Sequence, residues 1–152
     1  MAQSSTNYWL LIERLANWEL DRREGFRQFG LPESRKRLAA TIAKGDYLIF
    51  YVSERISCFA DVRVAAADGI SVMPGGGSYD TPFPWRVSTA PYLTLPRDRW
   101  LAMNAIANDL SVTAGKPDWR PFIRHTLRKL PQGDGELVVA RMRAEHVAIE
   151  SR

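Results

Sequence analysis

The amino-acid sequence predicts an α+β fold: a small mixed β-barrel or strongly curved sheet, of about five to six strands, surrounded by helices. Three observations lead there. Residues 8–12 and 46–52 are short apolar runs rich in aromatic and β-branched side chains, the composition of buried strands. Ser53-Glu54-Arg55 links residues 46–52 to another such run at 56–64 so tightly that a hairpin is expected. The last third carries helix start and stop signals, with Pro131 and Gly133 between two of the segments.

Taken in order, residues 8–12 form the first strand. Gly25, Gly30 and Pro32 punctuate residues 13–32, which read as a loop-rich connection with a short helical turn near 19–24. A long irregular connection inside a compact domain usually carries function. Ser34 is the expected N-cap of a helix through Ile42, with Leu38 and Ile42 facing inward and Gly45 ending it. The strands 46–52 and 56–64 follow. Residues 68–82 hold Gly69, Gly75, Gly76, Gly77 and two prolines and read as an open loop. Residues 85–95 return to a strand pattern, and Pro91 within it marks an edge or a bulge. Helices are expected from Pro96-Arg97-Asp98 through 108, from Asp118 through 129, and from Asp134 through about 145.

The 152 residues suit one domain, 1–152, in which 1–6 form a loose polar lead-in. Hydrophobic residues at 45% and charged residues at 25% give a globular composition. The apolar runs are too short to span a bilayer, and no basic stretch leads into an apolar core at the N-terminus, so neither a membrane anchor nor a signal peptide is expected. Cys58 is the one cysteine. It allows no internal disulfide, fits a reducing cytoplasm, and alternates with apolar neighbours as a buried, inert thiol would.

The chemistry-bearing residues narrow the function further. His125 and His146 are the only histidines, and no cysteine stands at ligand spacing from them, so no metal or cofactor is expected. No Gly-x-Ser-x-Gly elbow is present, and Gly75-Gly76-Gly77-Ser78 lacks the Lys-Ser/Thr of a phosphate loop. The aromatic residues stand out. Trp9 and Tyr51 lie within strands and read as core. Trp18, Phe29 and Phe83 lie among Gly, Pro and Asn in expected loops, where a ring needs a reason. A pocket that stacks a flat π-system supplies one, at roughly 1–3 kcal/mol per stacked base. Asn17, beside Trp18, offers both a donor and an acceptor to a base edge.

The charge of +4 permits an anionic partner. Arg120, Arg124 and Arg128 recur every four residues, which on a helix places them on one face. Arg35-Lys36-Arg37 and the trio Arg22, Arg23 and Arg27 form two further basic clusters suited to phosphates.

Several blocks occur together in a telling order: Tyr8-Trp9-Leu10, Asn17-Trp18-Glu19, Phe29-Gly30-Leu31-Pro32, Lys44-Gly45-Asp46 with Phe50-Tyr51-Val52, and Phe83-Pro84-Trp85-Arg86-Val87. Trp119, residues 127–130 with Pro131, and Gly135-Glu136-Leu137 complete the series. Over nearly its whole length the chain thereby resembles the EVE domain family, a PUA-like group related to YTH domains. The resemblance implies a PUA-like barrel whose aromatic pocket accepts a flipped, modified base of DNA or RNA. In the related YTH domains, Trp side chains clasp a methylated adenine. The implied base-binding residues are Asn17, Trp18, Phe29, Gly30, Phe83 and Trp85, and the implied phosphate contacts are Arg35, Arg86, Arg120, Arg124 and Arg128. Phe29 stands where the family commonly has Trp. No catalytic residue is implied. The alternative is a small hydrolase acting on a nucleoside or amide, with Lys44 or Glu19 as the reactive group. A protein-interaction module with an exposed aromatic patch is a third reading.

Overall fold

Strand β1 (Tyr8–Glu13) and strand β3 (Tyr47–Val52) lie side by side in parallel, with Tyr8 opposite Tyr47 and Glu13 opposite Val52. This pair is the centre of a curled half-barrel. The structure is a computed structural model and describes residues 6–72, 84–124 and 126–150, with the side chains of 148–150 excepted. The sheet runs β2-β6-β4-β3-β1-β8, where β2 is Gln28–Leu31, β4 Cys58–Ala65, β6 Trp85–Thr94 and β8 Arg128–Leu130. Two short strands join it from the side: β5 (Ser71–Val72) pairs with β6, and β7 (Leu101–Ala102) pairs with β4. The helices are α1 (Leu15–Arg23), α2 (Lys36–Ala39), α3 (Met103–Ile106) and α4 (Gln132–Glu150).

Side-chain alternation sorts the central strands into two buried clusters. Tyr8, Leu10, Ile49 and Tyr51 enter the larger one, where Val138, Val139 and Met142 of α4 cover them. Trp9, Leu11, Leu48 and Phe50 enter the other, with Phe29, Leu31 and Val87 from β2 and β6. Burial on both faces explains why these strands read as unbroken apolar runs. Helix α4 comes very close to β1: a Cβ on Gly135 would stand 2.2 Å from Cγ of Tyr8.

Lys44-Gly45-Asp46 has a structural purpose. Gly45 adopts φ +92° in the turn before β3. The buried Asp46 carboxylate accepts hydrogen bonds from the backbone N–H of Asn7 (3.1 Å), the backbone N–H of Ala43 (3.0 Å) and Nε1–H of Trp9 (3.0 Å). One side chain therefore ties the turn to the start of β1.

The β3–β4 hairpin and the bulge near Pro91 appear as expected, with the register of β4 on β6 shifting between Val62 and Arg63, opposite Leu93 and Pro91. Other expectations are corrected. Residues 13–32 are mostly regular: α1 buries Trp18 and Asp21, spaced three apart on one face, and β2 pairs with β6. Ser34 caps nothing. It lies in a 3-10 turn (Glu33–Arg35) ahead of the short α2, and Leu38 is 36% exposed while Ala39 and Ile42 are buried. The helix expected over 96–108 shrinks to a 3-10 turn (Arg97–Arg99) and α3, because Leu101–Ala102 instead pairs with Cys58 and Phe59. The helix expected over 118–129 is replaced by a 3-10 turn (Arg120–Ile123) and β8. Pro121 removes a backbone donor there, and β8 pairs with β1. Arg120, Arg124 and Arg128 therefore share no helix face.

Candidate functional site

The residues expected to form a base pocket are distributed over the fold. Trp18 lies on α1 and is 4% exposed, edge-on to Trp100, and its Nε1–H donates to Oδ1 of Asp61 at 2.7 Å. Phe29 is 3% exposed and meets Phe50 edge-on, and Gly30 beside it in β2 is buried. Neither ring is open to a ligand in this fold. Asn17 is half-buried on α1. Trp85 is half-buried, pairs across from Leu31, lies under the ammonium of Lys36 at 4.3 Å and donates its Nε1–H to Glu33. Phe83, His125 and the glycine run at 75–77 lie outside the described residues.

The expected phosphate contacts divide in the same way. Arg86 is 2% exposed, opposite Gly30 in the sheet. Arg35 is half-buried and donates from Nε to the backbone carbonyl of Thr126 at 2.5 Å. Arg128 stacks on Phe122 at 4.4 Å. Arg120 and Arg124 are exposed. Lys44 and Glu19 stay apart: Lys44 lies in the turn before β3, and Glu19 on α1 holds Arg22 at 2.7 Å. Among the described residues, no group of three or more His, Cys, Asp and Glu side chains is placed to hold a metal ion. No described helix is long and apolar enough to cross a membrane.

Beneath Trp18 lies a buried charge cluster that the sequence reading missed. Arg63 on β4 contacts Asp61 (2.8 Å), Asp21 on α1 (3.0 Å) and Glu13 at the end of β1 (3.4 Å), all with side chains at most 2% exposed. Its guanidinium also lies over Phe50 at 3.5 Å and Phe26 at 4.4 Å. Burial alone would lower the Arg63 pKa, but the carboxylates, Asp61 foremost, raise it. Burial, then the charge of Asp21, pushes the Glu13 carboxyl well above the usual range. Oε1 of Glu13 accepts from Arg63 at 3.4 Å, and its Oε2 meets no donor. Burial and the neighbouring Asp21 charge thus both favour the protonated form of Glu13 in the folded chain. This cluster fixes α1 and the Trp18 indole on the sheet.

An open groove of about 530 Å³ lies between the β3–β4 hairpin and the segment around Trp119. Glu54, Arg55, Ile56 and Ser57 line one side, and Ala102, Asn104 and residues 117–120 the other. Glu54 and Ser57 adopt left-handed backbone angles, φ +65° and +51°, uncommon for residues other than glycine and costly by about 1 kcal/mol each. The turn is tied by Ser57 Oγ–H to the carbonyl of Glu54 (3.0 Å) and by Met103 N–H to the carbonyl of Ser57 (3.0 Å). Trp119 is half-buried, packs against the larger core cluster, and donates its Nε1–H to Oδ1 of Asn104 at 2.9 Å. Asp118 accepts from both the backbone N–H (3.0 Å) and Nε–H (2.8 Å) of Arg120, which hold its carboxyl below the usual range. Arg55 is exposed and meets no carboxylate among the described residues.

Deeper behind the hairpin, burial pushes the Tyr51 hydroxyl up to about 12. Cys58 is half-buried, and its thiol is likewise raised by burial, consistent with an inert group.

Neither family models nor curated protein sequences match this chain. Solved structures do. A YTH domain-containing protein, mmi1, in complex with RNA superposes with a TM-score of 0.69 at 8% identity, covering 97% of this chain and 87% of that one. Rpa0253 from Rhodopseudomonas palustris gives 0.64 at 13% identity, covering 91% and 94%. Atu2648 from Agrobacterium tumefaciens gives 0.62 at 13% identity, covering 92% and 93%. The chain therefore has the fold of YTH domains, the PUA-like half-barrel that the resemblance implies.

Proposed function

We propose that the chain is a non-enzymatic module of EVE type that binds single-stranded nucleic acid, RNA in the first instance, and takes one base into the groove beside Trp119. The observation that carries this reading is the groove itself, on a fold shared with a protein captured bound to RNA. Its volume of about 530 Å³ falls within the roughly 300–1,000 Å³ of small-ligand sites. It combines a half-buried indole, a polar lining and an exposed arginine, the elements of single-strand recognition: stacking and charge. Trp18 and Phe29 are enclosed in the core, so the stacking ring in this reading is Trp119. A modified base belongs to the same proposal, as an addition to the base edge that the groove must accommodate.

Fluorescence titration with short single-stranded RNA and DNA, unmodified and methylated, at two salt concentrations tests it. Binding that weakens with salt and drops about tenfold in Trp119→Ala, the loss of one stacked base, is the expected result. Binding unaffected by Trp119→Ala would move the site elsewhere.

A further inference from the structure

Resting on the nucleic-acid reading above, we propose that Asn104 sets base choice in the groove, donating from Nδ2 to the keto oxygen of a uracil-type base while Arg55 holds a neighbouring phosphate. The argument is a hydrogen-bond account. An asparagine amide normally offers a donor at one end and an acceptor at the other, and either can face a ligand. Here one end is committed. The indole N–H of Trp119 can only donate, and it points at Oδ1 of Asn104 at 2.9 Å. That contact fixes the amide and leaves the NH2 group as the end without a partner among the described residues. Asn104 therefore presents donors alone. The O4 of uracil satisfies them, whereas at the same edge cytosine presents its N4 amino group and sets donor against donor.

The charges of the groove are similarly accounted for. Arg120 is held by Asp118 at 2.8 Å, and Glu54 faces Arg14 at 3.4 Å. Arg55 is the lining cation with no carboxylate partner among the described residues. A ring, an oriented donor and an uncompensated guanidinium together fit a nucleotide whose base presents a uracil-type O4 to Asn104.

The test compares an oligouridylate with an oligocytidylate of equal length, so that ring size and charge are constant. The intact protein should prefer the uridylate about five- to tenfold, the worth of one hydrogen bond gained against one donor clash. Asn104→Asp keeps an oxygen on the Trp119 indole but turns the free end into an acceptor. It should remove the preference or reverse it towards cytidylate, even though its added charge weakens both. Arg55→Gln should weaken both oligomers alike and lower the salt slope by about 1. Both side chains are exposed, so the fold is retained. Equal affinity for the two oligomers, or an unchanged uridylate preference in Asn104→Asp, would overturn the inference and leave the nucleic-acid reading intact. Failure of both oligomers to bind at low salt would overturn both readings.

Discussion

Replacing Arg63 with Met keeps most of the side-chain volume and removes the charge that three buried carboxyl groups share. Asp61 and Asp21 face the single Arg63 guanidinium at 2.8 and 3.0 Å. Deleting one member of a buried ion pair costs about 3–5 kcal/mol, because its partner is left charged in a low dielectric. Here two carboxylates lose their counter-charge at once, and the guanidinium stack 3.5 Å above Phe50 is lost with it. The expected loss is therefore at the top of that range, about 5 kcal/mol, a large part of the roughly 5–15 kcal/mol of a typical domain. At about 2–4 °C per kcal/mol for a chain of this size, the melting temperature should fall by roughly 10–20 °C. Urea unfolding at neutral pH measures it, and the deficit should shrink as the pH is lowered and the stranded carboxylates take up protons. Adding Asp61→Asn to Arg63→Met should recover part of the loss, since the amide keeps an oxygen for the Trp18 indole. A loss below about 1 kcal/mol in Arg63→Met would refute the reasoning, for the charges would then be solvated or absent.

Other consequences follow from neighbouring contacts. The folded protein holds the Glu13 proton more tightly than the unfolded chain, so this stabilisation is present below the ordinary carboxylate range and is lost as the pH rises through the raised value. Glu13→Gln should flatten that decline, as equilibrium unfolding across pH will report. Asp46→Ala leaves the Trp9 indole and two backbone N–H groups without their acceptor, and about 2–4 kcal/mol should be lost in urea melts. Gly135→Ala should destabilise by about 1–3 kcal/mol despite alanine's better helix propensity, because the new methyl meets the Tyr8 ring; a thermal melt with a raised midpoint would contradict that contact.

The parts of the fold legible in the sequence were those in which one local signal agreed with its tertiary use. Residues 47–52 are apolar on both faces because both faces are buried, and the short turn after them folds the chain back. The errors arose where pairing overrode a local pattern. Arg128 looked like the end of a helical stripe, but residues 128–130 are an edge strand beside β1, and Pro121 was the breaker that the arginine spacing concealed. Trp18 looked like a loop ring because Asn17 and two glycines surround it. Its burial depends on Asp61, 43 residues away, accepting its N–H, a partnership no window of sequence displays. The groove was hidden for a similar reason. Arg55 read as a plain turn residue and Asn104 as part of a helix, and only the fold brings both beside Trp119. One signal was available: Trp119 lies between Pro117 and Pro121, the same setting of a ring in a loop that drew attention to Phe83.

The central claim is that nucleic acid enters beside Trp119, and the five tryptophans allow it to be tested in one spectrum. Each indole N–H has its own acceptor: Asp46 for Trp9, Asp61 for Trp18, Glu33 for Trp85, the Leu95 carbonyl for Trp100 and Asn104 for Trp119. The five indole resonances of the isotope-labelled protein should be distinct and separately assignable. Titration with single-stranded oligouridylate should shift the Trp119 indole and the Asn104 side-chain amide, with the four other indoles nearly still. A shift confined to Trp85, or to the buried Trp18, would contradict the account and move the site to β6 or α1.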